Sequence, residues 1–228
     1  MTDHQLLSRI AQSVCLLLTC LVIDGCNSTF TWQEEVLLHD GNKIIVERSE
    51  TYDSRIPHEL DQDAPLAEHR TTFMIPGTNQ PVIWKSGNHS VARSELLRPE
   101  LLLLSLDFLD GVPYVATVVS WPSGYEKWGR PNPPYVCFRY VDGWERIPFD
   151  AFPENFKINV LVKSVKHKPY RKKVLEENNV YGFVRAQTIA EINSEPGAYK
   201  HFYSIVRTPL DYGPPRAEHK GPKAPNPM

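Results

Sequence analysis

The chain is poor in cysteine where it would matter: only Cys137 lies beyond residue 26, among four cysteines in 228 residues. A domain built from residue 27 onward has no second thiol for an intrachain disulfide, so its stability rests on a packed core. No CxxC, HExxH or GxxxxGK[ST] pattern occurs, which removes the common zinc, redox and phosphate-loop signatures. Ser123 precedes Gly124, but no nucleophile-elbow sequence surrounds it. Glu34 and Glu35 are adjacent carboxylates, yet neighbours on a strand point to opposite faces and cannot share a site. No catalytic residue, cofactor or metal ligand set is therefore assigned, and an enzyme is the less favoured reading. One-signed charge is missing too: the formal net charge is −2, which argues against a nucleic-acid binder held by bulk electrostatics. Helix-period runs are few, while 20 prolines and 11% aromatic residues point to a loop-rich β protein.

What is present is a series of hairpin signals. Asp40-Gly41, Pro76-Gly77, Asp110-Gly111 and Asp142-Gly143 each separate two apolar runs, where glycine tolerates the positive φ that tight turns need. In the first, Val36 and Leu38 alternate with polar neighbours, as do Ile44 and Val46, which predicts a half-buried hairpin. Leu96 to Leu109 is the most apolar stretch beyond the leader; with Pro113 to Val119 it makes the third hairpin, expected at the centre of the fold, and a short helix over 94–105 competes for its first half. Ile158 to Val165 and Phe202 to Val206 read as further strands, and 168–178 as a small helical segment after Pro169. The polar stretch from Glu50 to His69 holds His58, Glu59, Asp61, Asp63, Glu68 and His69, but their spacing matches no metal motif and a solvated loop is the plainer expectation. The turns recur about every 32–36 residues, without alignment of the segments around them. The expected fold is mainly β: an antiparallel sandwich or curved sheet of roughly eight strands, built from successive hairpins.

The leading segment decides location. Ile10 to Ile23 is a run of 14 residues interrupted by Gln12, Ser13 and Thr19, short of the roughly 20 a spanning helix requires and within the range of a secretory h-region. It ends in Val22-Ile23-Asp24-Gly25-Cys26, which resembles the lipobox of bacterial lipoproteins, with Asp24 as a departure from the usual small residue. The resemblance implies a signal peptide over 1–25, cleavage before Cys26, and acylation of that residue as the membrane anchor. Two or more acyl chains give stable attachment. Asn27, rather than Asp, after the cysteine favours the outer membrane, with the domain facing the periplasm. Trp32 to Gly41 and Trp128 to Val136 are similar to segments shared by a group of Gram-negative envelope lipoproteins with which no activity is associated. That likeness extends over most of 32–160 and implies localisation alone. The division that follows is a lipidated linker over 26–31, a single β-rich domain over 32–208 and a flexible proline-rich tail over 209–228, where six prolines fall.

Two surfaces are candidates for binding. The loop 121–134 carries Trp121, Tyr125, Lys127, Trp128 and Arg130 among four prolines and two glycines. Aromatic rings on a stiff loop offer large contact area at low entropic cost, and the cations add carboxylate or phosphate recognition. The plainer reading turns the tryptophans inward to cap the core. The second is a run of six cations, Lys163, Lys166, Lys168, Arg171, Lys172 and Lys173, with no acid among them; its plainer reading is a solvated face. The expected partners are a membrane, through the anchor, and an envelope protein, with a glycan as the alternative.

Overall fold

The computed structural model describes residues 27–53, 66–87, 101–119, 122–162, 182–194 and 204–210. These form a mainly β fold of two sheets. Strands β1 (Asn27–Leu37), β2 (Lys43–Asp53), β3 (Leu66–Met74), β4 (Pro81–Gly87) and a short β9 (Phe183–Val184) make a first sheet in the order β4-β3-β2-β1-β9. Strands β5 (Leu101–Leu109), β6 (Val112–Val119), β7 (Tyr135–Tyr140) and β8 (Trp144–Ile147) make a second, in sequence order. Neither closes into a barrel. All pairs are antiparallel except β1–β9.

All four turn signals become hairpins. Asp110 and Gly111 both take positive φ, at 51° and 78°, the conformation a two-residue turn needs to match strand twist. Alternation then selects the buried faces. Val36, Leu38, Val46, Phe73, Val82 and Trp84 of the first sheet meet Leu101, Leu103, Leu106, Phe108, Val115, Val136 and Phe138 of the second in one core. The β5–β6 hairpin is covered on both faces, as its near-continuous apolar sequence requires. Its outer face is sealed by Phe152 and Phe156 over Leu104, Ala116, Val118, Tyr135 and Cys137. A bulge at Leu103/Ser105 frees the Leu104 carbonyl, which accepts from Asn159 N at 3.2 Å.

Segment 159–162 has no ladder partner, so side chains satisfy its backbone. Leu161 N donates to Glu34 at 3.1 Å and Leu161 O accepts from Arg48 at 2.6 Å. Asn193, on helix α2 (Ala186–Ser194), bonds Val162 N and Val160 O. The Asn159 amide ties the sheets together, bonding Leu106 N and O on β5 and Leu37 O on β1. Helix α2 packs Ile189 and Ile192, one turn apart, on Trp32, Leu161 and Val184.

Several expectations need correction. Strand β1 starts at Asn27, so 27–31 is sheet rather than linker. The polar stretch 50–69 is strand at both ends, because Glu50 and His69 point inward; 54–65 lies outside the described residues. Of the two readings of 94–105, the preferred strand holds at 101–105, and 94–100 lie outside the described residues. Residues 158–162 and 204–206 belong to no strand: Asn159 N bonds the Leu104 carbonyl at the bulge, while Leu161 N and Val206 N bond side chains. Strand β9 and helix α2 were not expected at all. The helix expected at 168–178 and the tail from 211 onward lie outside the described residues. No helix among the described residues is long and apolar enough to cross a membrane.

Candidate functional site

The aromatic loop is partly helical. Helix α1 (Pro122–Lys127) is closed by Gly129 and Arg130, both at positive φ, with Arg130 N donating to Tyr125 O at 2.8 Å. That reversal carries Trp128 inward. Its ring stands edge-on to Phe138 at 5.9 Å, and the Arg146 guanidinium lies over it at 5.6 Å while bonding Trp128 O at 3.1 Å. Tyr125 is half-buried against the same core. Arg130 stays exposed in a bidentate pair with Glu126, whose nearest contact is 2.6 Å; this holds the Glu126 carboxyl below its usual range and raises Arg130. Lys127 is exposed. The structure thus joins Tyr125 and Trp128 to the core and leaves Lys127 and Arg130 on the surface. Trp121, Cys26, where the anchor is expected, and all six cations of the basic run lie outside the described residues.

The loop's second limb does something its sequence did not signal. Pro131, Asn132 and Pro133 form one wall of a cleft of about 440 Å³, Arg146, Ile147, Pro148 and Phe149 form the other, and Tyr135 and Val136 line its base. A strap, residues 204–210, bent at Ser204 and Thr208, contacts three of the cleft's residues, Asn132, Tyr135 and Phe149. Tyr135 Oη donates to Ser204 O at 3.0 Å and accepts from Val206 N at 3.1 Å. Asn132 reads both backbone groups of Leu210, accepting from its N at 2.7 Å and donating to its O at 3.0 Å. Arg207 donates to Phe152 O and Pro153 O at 2.9 and 2.8 Å and lies over the Phe149 ring at 4.9 Å. Arg146 and Phe149 were missed because they lie 12 or more residues downstream of the loop, in a segment without any motif. Asn132 sat inside the loop but looked like a turn residue.

Two other clusters bear inspection. His39 Nδ1 lies 2.8 Å from Asp107 Oδ1, and Asp107 also accepts from His39 N and Phe108 N. A carboxylate-oriented imidazole is the arrangement of a general base. Here every contact of Asp107 runs to the first hairpin's turn or to its own strand, so the pair clips β1 to β5. The second cluster is interior: Glu34, Arg48, Glu50 and His69 on the inner face of the first sheet. Glu34 accepts from Trp32 Nε1 at 2.7 Å and Arg48 at 2.8 Å; Glu50 accepts from Tyr52 Oη at 2.5 Å and lies 3.7 Å from His69 Nδ1. Glu34 and Glu35 do face opposite ways, Glu35 pairing outward with Lys43 at 2.8 Å. Among the described residues no three His, Cys, Asp or Glu side chains are placed to hold a metal.

Comparison of the chain with protein-family models, with curated proteins and with solved structures finds no match in any of the three.

Proposed function

We propose that this chain is a lipid-anchored domain of the bacterial envelope that captures a protein partner in the cleft between 131–133 and 146–149. The observation that carries the binding reading is the cleft itself. Its volume, about 440 Å³, falls in the range of ligand sites, and its walls combine Tyr, Phe, Pro and Arg on a rigid β scaffold. Tyr and Arg are the residue types over-represented where interfaces gain most of their energy. The anchor is supported by the leader and the lipobox-like ending at Cys26. A glycan reading draws less support, because the Trp128 ring it would stack on is engaged by Phe138 and Arg146.

The test has two arms on the native product. Intact mass and membrane partitioning are compared with a Cys26→Ser variant: an acylated chain starting at Cys26, released from the membrane by the substitution, is expected. Crosslinking from the envelope is then compared with Arg146→Glu. Loss of the crosslinked protein at unchanged thermal stability supports the cleft, and undiminished crosslinking rejects it. Retention on peptidoglycan that Arg146→Glu abolishes would transfer the site to the glycan reading.

A further inference from the structure

The strap along the cleft is held the way a bound peptide is held. Its two ends are held through backbone groups: Ser204 O and Val206 N by Tyr135, Leu210 N and O by Asn132. Such contacts accept almost any sequence. Two side chains are read in between. Ile205 packs on the outer aliphatic and aromatic cluster, and Arg207 fills a socket made of the Phe149 ring and the carbonyls of Phe152 and Pro153. Backbone ends with alternate side chains in pockets are the pattern by which extended peptides are bound.

The receptor is built without the strap. Tyr135 and Phe152 are locked in the outer core with Cys137 and Phe156, and Asn132 and Phe149 sit on the loop and turn that wall the cleft. The strap, by contrast, buries none of its residues fully, pairs with no strand, and exposes Ser204, Thr208 and Pro209. Its removal would uncover aromatic surface without opening either sheet, which places it at the low end of local stability. Asn132, Tyr135 and Phe149 belong to both the cleft and the strap's track, so the two form one continuous lane.

We infer that this lane is a receptor for peptide segments of the pattern aliphatic-x-Arg, occupied in cis by residues 204–210, which a partner's segment displaces. The inference rests on the cleft reading for its location and adds the chemistry of the partner: one aliphatic residue and one arginine two positions later, with proline tolerated two residues after the arginine. The strap then acts as a built-in competitor that lowers apparent affinity by the fraction of time it stays docked.

The probe is a fluorescent peptide Ser-Ile-Val-Arg-Thr-Pro-Leu, titrated into the full chain. Full-chain Arg207→Ala, whose strap has lost its socket contact, should bind it about tenfold or more tightly than the unsubstituted chain, as removal of a cis competitor demands. The same peptide with Ala in place of Arg should not bind. Equal or absent binding to both chains, with the variant folded, overturns the proposal. If Arg207→Ala does not fold, hydrogen exchange on the unsubstituted chain decides: the Val206 and Leu210 amides should exchange at least about 100-fold faster than those of Val115 and Val136. Protection equal to the core would mean the strap never opens alone, and the proposal falls. Peptide binding without any effect of Arg146→Glu on envelope crosslinking would reject the cleft reading while keeping this one. The reverse pattern would keep the cleft and reject the peptide lane.

Discussion

The inner face of the first sheet changes character along its strands. At one end Val36, Val46, Phe73, Val82 and Trp84 meet the second sheet through carbon alone. At the other, Glu34, Arg48, Glu50, Thr71 and Ser86 are as deeply placed but polar, with the partly buried His69 beside Glu50. The apolar end faces another sheet, whose backbone is already satisfied. The polar end faces segment 159–162 and the start of β5, whose backbone is not: Glu34 and Arg48 complete Leu161, and Ser86 exchanges bonds with Leu101. Buried charge here replaces a missing strand. It also fixes register. A slip of β1 by one residue would bring Gln33 inward and put Glu34 in water, leaving Arg48 without its partner.

The comparison can be broken by substitution. Arg48→Met leaves Glu34 charged with no cation beside it and should cost about 4 kcal/mol in urea unfolding, since breaking a buried pair costs more than the pair contributes. Glu34→Gln in that background should recover part of the loss; no recovery would mean that Arg48 acts by packing alone. At the apolar end, Leu106→Ala should cost about 3 kcal/mol, through lost transfer energy and the cavity left behind. A larger loss at Leu106 than at Arg48 would reverse the ranking proposed for the two ends.

The polar end should also titrate. Burial first, and the Arg48 charge second, push the His69 imidazole down to about 3 from its ordinary 6.5. The unfolded chain takes up the proton first. Stability is therefore fully present above pH 6.5 and declines as pH falls from 6.5 toward 3, by roughly 1 kcal/mol per pH unit. Replacing His69 by Leu should flatten that part of the pH–stability curve; an unchanged slope would show that other groups set it. The smallest effect is expected at Cys137. Burial raises its thiol to about 12, so a thiol reagent at pH 8 should label it only as fast as the chain opens. Rapid labelling of the native chain would show the outer core to be loosely packed.

Much of the sheet architecture was legible because hairpins are local. A turn pair with glycine and two alternating runs are adjacent in sequence, and all four such signals held. The polar end was not legible for the same reason. Glu50 and His69 look like loop residues until a neighbour supplies Tyr52 and Arg48 around them. Residues 158–162 have strand composition, yet their partners are scattered along the chain: Glu34 and Arg48 more than a hundred residues earlier, the Leu104 carbonyl, and Asn193 on helix α2. In the loop, aromatic content did not foretell which residues stay at the surface. Trp128 supports the core, while the cleft is made by Asn132 with Arg146 and Phe149, whose meeting depends on how β7 and β8 pair. The lipid anchor and the basic run are read from sequence alone.

Each sheet is drawn almost wholly from one unbroken stretch of chain, β1–β4 from 27–87 and β5–β8 from 101–147. Their ladders close short loops and can form early, before the rest of the chain contributes. The contacts of Asn159 with Leu37 and of Leu161 with Glu34 span 122 and 127 residues and come after those ladders. Until they do, β5 is an edge strand with the Leu104 carbonyl and both backbone groups of Leu106 open to any extended neighbour. Asn159 is thus a guard against misassembly as well as a tie between sheets. A chain ending before it would carry two finished hairpin arrays and an adhesive edge between them.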